Sequence, residues 1–139
     1  MENTEIFNLA REIGMAIQRS DEYINYRMNE QKVECSKELQ STIEKFNLKK
    51  SEINEELSKE NADQKKMDEL NSEIGELYRK ITNDETMKKF NETKRIFDEM
   101  LAKISYLISE CAKGEDPYKV EIPENESCTG SCATCGGCH

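Results

Sequence analysis

The chain has 139 residues, of which 35% are hydrophobic and 35% are charged, with no Trp and two Pro. That length corresponds to one domain, but the apolar share is low for a globule that completes its own core. The net charge of -9 argues against direct nucleic-acid binding by this chain alone, because phosphate neutralisation requires Lys and Arg clustered on one face.

An apolar stripe opens the chain and predicts the first helix. It begins at the cap candidates Asn3 and Thr4, and it ends near Arg19. The stripe has a 4-3-4 spacing, which keeps its members on one helical face. Its members are Ile6, Ala10, Ile13 and Ile17.

A second helix follows, with Ser20 or Asp21 as its predicted N-cap. Tyr23 and Tyr26 lie three residues apart and therefore on one side of this helix. We interpret them as packing residues with hydroxyls at the rim, in preference to a binding role.

The third and fourth predicted helices are joined by the polar stretch "SKENADQ", residues 58 to 64. Ser36 is the predicted N-cap of the third helix, and Asn61 or Asp63 is that of the fourth. The apolar stripe of the third helix is interrupted by Lys50, whereas the fourth carries a regular heptad seam. The third stripe comprises Leu39, Ile43, Phe46, Ile53 and Leu57, and the fourth comprises Met67, Leu70, Ile74, Leu77 and Ile81.

The last predicted helix runs from Asp84 to Lys113 and ends at Gly114, a residue favoured just after helix C-termini. It would be roughly 45 Å long at 1.5 Å per residue. We expect part of its apolar face to meet either two successive helices or a partner subunit. The sequence thus predicts an all-α protein, a multihelical antiparallel bundle or hairpin with a long C-terminal helix and an extended Cys-rich tail.

Composition divides the chain into three segments. Residues 1–113 form the predicted helical domain. Residues 114–127 form an acidic linker that contains Pro117 and Pro123 and has no amphipathic stripe. Residues 128–139 form a Cys-rich tail predicted to bind a metal.

The tail holds four thiols in the pattern C-x3-C-x2-C-x2-C-H, from Cys128 through Cys132 and Cys135 to Cys138. Such short intervals resemble the ligand loops of iron-sulfur clusters, whereas structural zinc more often takes two Cys pairs separated by a long spacer. Zinc or copper and a metal-free redox role for the pair Cys135 and Cys138 remain alternatives. The terminal His139 is a weak candidate ligand, and a solvated chain end is the more common role for such a residue.

The remaining features favour a cytoplasmic protein without catalytic activity. The N-terminal sequence lacks a basic and apolar leader, and no apolar run approaches the length of a membrane span. In a reducing compartment, dense Cys predicts metal or redox chemistry before disulfides. Cys35 and Cys111 are expected to pack as small hydrophobic residues. No phosphate loop, metalloprotease helix or nucleophile turn occurs, and the single His is terminal.

Two stretches carry a resemblance to a known family. They are "AREIGMAIQRSDEYINYR", which includes Ser20-Asp21-Glu22-Tyr23, and "NDETMKKFNETKRIFDEMLAKISYLISE". Residues 4–113 resemble the YlbF/YmcA family of small helical regulators from Gram-positive bacteria. The pattern rests on helix boundaries and aromatic residues, and the Cys tail adds to it.

The resemblance implies a non-enzymatic, oligomer-forming regulatory adaptor. Its expected partners are YaaT-like and YlbF/YmcA-like subunits, in a complex that carries four-iron, four-sulfur clusters. The expected roles of that complex are in competence, sporulation and biofilm formation, and in RNase Y-dependent mRNA processing. The family's ligand segment, C-x3-C-x2-C, corresponds to Cys128, Cys132 and Cys135, and Cys138 extends it as a fourth or spare ligand. A structural helical oligomer with a zinc-binding tail and a thiol redox protein are the alternatives.

Overall fold

A computed structural model describes residues 3–124, and this part of the chain folds into five α-helices without a β-strand. The all-α prediction is therefore confirmed. The helices are α1 (Asn3–Arg19), α2 (Asp21–Cys35), α3 (Lys37–Leu57), α4 (Gln64–Asn83) and α5 (Glu85–Ala112). They are distributed over two compact units, one with residues 3–23 and 93–124 and the other with Ile24–Glu92.

The helix boundaries coincide with short polar side chains that cap free backbone N–H groups. Ser36 Oγ accepts from Leu39 N at 3.3 Å before α3, and Asp63 Oδ1 accepts from Lys65 N at 3.1 Å before α4. Ser20 Oγ accepts from Tyr23 N at 3.2 Å at the start of α2. These bonds satisfy backbone N–H groups of the first turn, which have no acceptor within their own helix. Each capping residue therefore favours the start of a new helix at its position. Of the alternatives for α2 and α4, Ser20 and Asp63 are the residues whose side chains cap. The candidates for α1, Asn3 and Thr4, lie within that helix.

In the unit Ile24–Glu92, α3 and α4 pack together as an antiparallel hairpin. In the contacting pairs, the residue numbers increase along α3 while they decrease along α4, as antiparallel packing requires. The rings of Phe46 and Tyr78 have centroids 6.2 Å apart, and Lys49 Nζ lies 3.0 Å from Glu73 Oε2. Lys50, which interrupts the apolar stripe, places its ammonium 5.3 Å from the Phe46 ring centroid. Lys50 thus makes a cation-π contact with Phe46, which lies one helical turn earlier on α3.

The loop that closes the hairpin is held by one buried carboxylate, Glu56, whose side chain is 5% exposed. Its Oε1 accepts from the backbone N–H of Asp63 at 2.9 Å, and its Oε2 lies 3.0 Å from Lys59 Nζ and 3.4 Å from Lys66 Nζ. The Asp63 hydrogen bond, followed by the Lys59 hydrogen bond, lowers the pKa of Glu56 to about 2. The carboxylate therefore ties the end of α3 to the N-cap of α4.

All buried residues in the described part of the chain belong to this same unit. The buried apolar side chains are Val33, Leu39 and Leu70, and the buried polar residues are Asn29 and Glu56. The Oδ1 atom of Asn29 has no hydrogen-bond partner. The predicted heptad seam of α4 thus contributes one buried member, Leu70, and its other members are partly exposed.

In the other unit, no residue within 3–23 or 93–124 is buried. Its helices nevertheless carry regular apolar stripes, and in α1 the side chains of Ile6, Phe7 and Leu9 are 49–59% exposed. The Tyr23 ring contacts Phe97, with centroids 5.8 Å apart. In the unit Ile24–Glu92, Tyr26 stacks on Phe90 at the same distance. Both tyrosines therefore pack against aromatic rings, which confirms the predicted packing role.

The acidic segment after α5 contains a short turn. Gly114 has a positive φ of 94°, and its N–H donates to Cys111 O at 3.0 Å, which ends the helix as predicted. The backbone carbonyl of Asp116 then accepts a hydrogen bond from the N–H of Lys119 at 3.0 Å. The Asp116 carboxylate accepts another from the N–H of Tyr118, also at 3.0 Å. An Asx-type turn thus breaks the extended linker that we predicted.

Truncation of Leu70 to Ala should destabilise the unit Ile24–Glu92. Leu70 is 4% exposed, and removing a buried Leu side chain costs about 2 to 5 kcal/mol. Leu48→Ala is the matched control, because Leu48 lies on α3 and is 60% exposed. Urea denaturation followed by circular dichroism compares the two. Equal midpoints for both variants would contradict the assigned core.

Replacement of Glu56 by Gln should lower the thermal midpoint at neutral pH, because the variant loses the charged acceptor for Lys59 and Lys66. A carboxylate whose pKa is lowered by folding stabilises the folded state above its unfolded pKa of 4.5, and this stabilisation is lost as pH falls through the folded pKa of about 2. The midpoints of the two proteins should therefore converge between pH 4.5 and pH 2. Exposed Glu55→Gln should leave the midpoint unchanged at each pH. Melting curves at pH 7, 4 and 2.5 measure both differences.

Candidate functional site

The four tail thiols, Cys128, Cys132, Cys135 and Cys138, lie outside the described residues, as does His139. The metal site stays a prediction from their spacing. Within residues 3–124, no group of three or more His, Cys, Asp or Glu side chains is arranged to hold a metal ion. As a donor set, three or four thiolates suit an iron-sulfur cluster, since such clusters are held by Cys sulfur.

The two cysteines of the helical body occupy different environments. Cys111 is partly buried near the end of α5, whereas Cys35 is exposed at the end of α2. The prediction that both pack as small hydrophobic residues is therefore wrong for Cys35. The cause is local, because the chain turns at Ser36 and Cys35 is the final residue of its helix.

The unit with residues 3–23 and 93–124 has an open groove of about 310 Å³ along α5. Its lining includes the apolar residues Met100, Ile104 and Leu107 together with charged residues. One of the charged residues, Glu99, accepts from Arg95 Nη1 at 2.6 Å. The full lining comprises Glu22, Ile96, Glu99, Met100, Lys103, Ile104, Leu107 and Ile122.

Ile122 brings the acidic segment to this groove. It follows the Asp116 turn by six residues and is 42% exposed, so about half of its surface is covered. Residue 124, the last one described, is two positions further along the chain. The Cys tail therefore follows a segment whose Ile122 lines the same groove as residues of α5.

An exposed aromatic residue, Tyr118, lies between Gly114 and Ile122 in the chain. Tyr118 is 99% exposed, although its backbone is fixed by the Asp116 turn. Sequence patterns missed both Tyr118 and Ile122. The alternation Val120, Glu121, Ile122 was the available signal, because it places two apolar side chains on the same side of an extended segment.

Chemically, these surfaces are suited to binding and carry no catalytic arrangement that we can identify in the described part of the chain. The groove is open and is lined by both apolar and charged side chains. Such a lining, together with one exposed Tyr, is typical of protein-protein contact surfaces.

Comparison with known families gives one match, to the model described as "Control of competence regulator ComK, YlbF/YmcA", over residues 6–111. The chain belongs to the YlbF/YmcA family. The match spans α1 through nearly all of α5 and ends before the acidic segment and the Cys tail. No curated protein and no solved structure showed significant similarity.

Membership confirms the resemblance that the two helical stretches suggested, and it makes this chain a member of a regulatory family connected with competence control. The match covers the helices that carry the exposed apolar stripes. None of the helices within residues 3–124 combines the length and the hydropathy of a membrane span.

Loss of the Ile122 side chain should loosen the acidic segment from α5. Ile122→Ser removes a half-buried apolar contact worth about 1 kcal/mol, so the segment should open about fivefold more often. Limited trypsin digestion at Lys119 measures this opening as a faster cleavage rate. Glu121→Ser is the control, because Glu121 is exposed and does not line the groove. Equal rates for both variants would show that Ile122 does not hold the segment.

Proposed function

We propose that this chain is a non-enzymatic regulatory adaptor of the cytoplasm, whose helices bind partner proteins and whose tail carries an iron-sulfur cluster. Membership of the YlbF/YmcA family, with its connection to competence control, is the observation that supports the regulatory role. The exposed apolar stripes of α1 and α5 support the adaptor role, since such surfaces on a helical protein are usually covered by a partner.

The proposed ligands are Cys128, Cys132 and Cys135, with Cys138 as the fourth or spare ligand. Their support is the C-x3-C-x2-C spacing and the softness of thiolate donors. A cluster held there, most simply a four-iron, four-sulfur cluster, would cross-link the thiolates and make the tail depend on iron supply. The chain's own contribution is Ile122, which lines the groove along α5 and precedes Cys128 by six residues.

The proposed partners are YaaT-like and YlbF/YmcA-like subunits and, through their complex, RNase Y. In this role the chain would influence mRNA processing and, through it, competence, sporulation and biofilm formation. The net charge of -9 supports an indirect route to RNA, because the chain offers little to neutralise phosphates.

Substitution of the tail thiols tests the cluster. Cys128→Ser and Cys132→Ser, purified anaerobically with the partners present, should lose most bound iron and acid-labile sulfide, because Ser is a poor ligand for cluster iron. Cys35→Ser is the matched control, since Cys35 is exposed on α2 and outside the tail. Full retention of iron and sulfide in both tail variants would refute the proposed ligand set.

Two outcomes of the same measurement favour the alternatives. Zinc without sulfide would indicate a structural helical oligomer with a zinc-binding tail. No bound metal together with a defined reduction potential would indicate a thiol redox protein that uses Cys135 and Cys138. Cys138→Ser separates the roles further, because loss of iron in this variant would make Cys138 the fourth ligand.

A further inference from the structure

Tyr118 is the most exposed large hydrophobic residue in the described part of the chain, at 99%. The other four tyrosines lie on helices, and the most exposed of them, Tyr78, is 57% exposed. A ring that makes almost no contact with its own chain leaves its whole apolar surface in water. It therefore adds almost nothing to the stability of the chain's own fold.

The backbone around this ring is nevertheless held by hydrogen bonds. The Asp116 carbonyl accepts the N–H groups of Lys119 and Val120 at 3.0 and 3.1 Å. The Asp116 carboxylate accepts the N–H of Tyr118 itself at 3.0 Å. Pro117, which lies between them, has a fixed φ and further limits the conformations of the turn. The ring is thus presented on an ordered turn.

The turn is connected to the folded unit on both sides. Before it, Gly114 ends α5, and Glu115 N donates back to Glu110 O at 3.2 Å. After it, Ile122 lines the groove along α5. A side chain on a turn held in this way loses little backbone freedom when it binds, so more of the contact energy appears as affinity.

The surroundings of the ring are acidic. Glu115, Glu121 and Glu124 are exposed. The adjacent cation, Lys119, lies 4.0 Å from the Asp116 carboxylate. Negative groups repel phosphates, so a nucleic acid or an anionic membrane is disfavoured as the surface that receives this ring. A second copy of this chain is also a poor match, because the chain carries a net charge of -9.

We propose that the turn around Tyr118 docks on a different protein, with the ring buried in an apolar pocket whose edge carries Lys or Arg. Buried Tyr side chains often dominate the binding energy of an interface, and a ring already held in place suits that role. The surrounding carboxylates would complement the basic edge and accelerate encounter.

This contact goes beyond the adaptor role proposed for the helices. The family match ends at residue 111, so the turn follows the matched residues in the chain. The contact requires neither a cluster in the tail nor the subunits proposed above.

Site-specific crosslinking identifies the partner. The full-length chain with Tyr118→p-benzoylphenylalanine, produced and irradiated in the cells that normally contain it, should form one discrete covalent adduct with another protein. Mass spectrometry of the adduct should place the crosslink beside Lys or Arg of that protein. The same photoreactive residue in place of Leu48, which is 60% exposed on α3, is the matched control and should not form this adduct.

Titration of the purified partner against the full-length chain measures what the ring contributes. Tyr118→Ala should raise the dissociation constant roughly tenfold or more, because it removes the anchor. Tyr118→Phe keeps the ring and should retain most of the affinity, and Leu48→Ala should leave the dissociation constant unchanged. Both Tyr118 variants should keep the melting midpoint of the parent chain, since the ring makes almost no contact within it.

Two further changes separate the turn and the charge from the ring. Asp116→Ala removes the acceptor for the Tyr118 N–H and should weaken binding, whereas Asp116→Asn keeps an acceptor there and should weaken it less. Glu121→Gln combined with Glu124→Gln should lower the association rate and reduce its dependence on salt.

Any of four results would overturn the inference. These are the absence of an adduct from position 118, an adduct with RNA, lipid or a second copy of this chain, an equal adduct from position 48, and a purified partner that binds Tyr118→Ala as tightly as the parent chain. The readouts do not depend on iron in the tail. Failure of this contact and failure of the proposed cluster are therefore separate results.

Discussion

The fold depends on a small core in the unit Ile24–Glu92. In the described residues, the buried apolar side chains are Val33, Leu39 and Leu70, which come from α2, α3 and α4. Each helix therefore contributes one anchor, and the antiparallel packing of α3 on α4 holds the unit together. Because burial of apolar surface is the main favourable term in folding, a core of this size leaves little reserve of stability.

Glu56 adds an electrostatic element to that packing. A buried carboxylate is costly unless its oxygens are satisfied, and here the loop supplies a backbone N–H and the Lys59 ammonium, while α4 supplies the Lys66 ammonium. The same carboxylate fixes Asp63, which caps α4 through its own side chain. Charge and hydrogen bonding thus fix the loop between α3 and α4. Apolar contacts determine which faces of the two helices pack together.

The unit with residues 3–23 and 93–124 differs from the other unit in the burial of its side chains. It contains no buried residue, although α1 and α5 have apolar stripes as regular as those of the other unit. Those stripes are available for contacts with other chains, which agrees with membership of a regulatory family. Ile122 lines the groove along α5, so the acidic segment belongs to this unit as far as residue 124.

The sequence alone determined where the helices begin and end, because caps and apolar periodicity are local properties. Ser20, Ser36, Asp63 and Gly114 each act within a few residues of their own position. It also determined the family and the thiol spacing of the tail. Only the tertiary structure decided which stripe residues are buried, why Glu56 is charged in a buried place, and that Ile122 lines a groove along α5. Those features depend on residues distant in the chain, and periodicity along a helix does not reveal which face a second helix will cover.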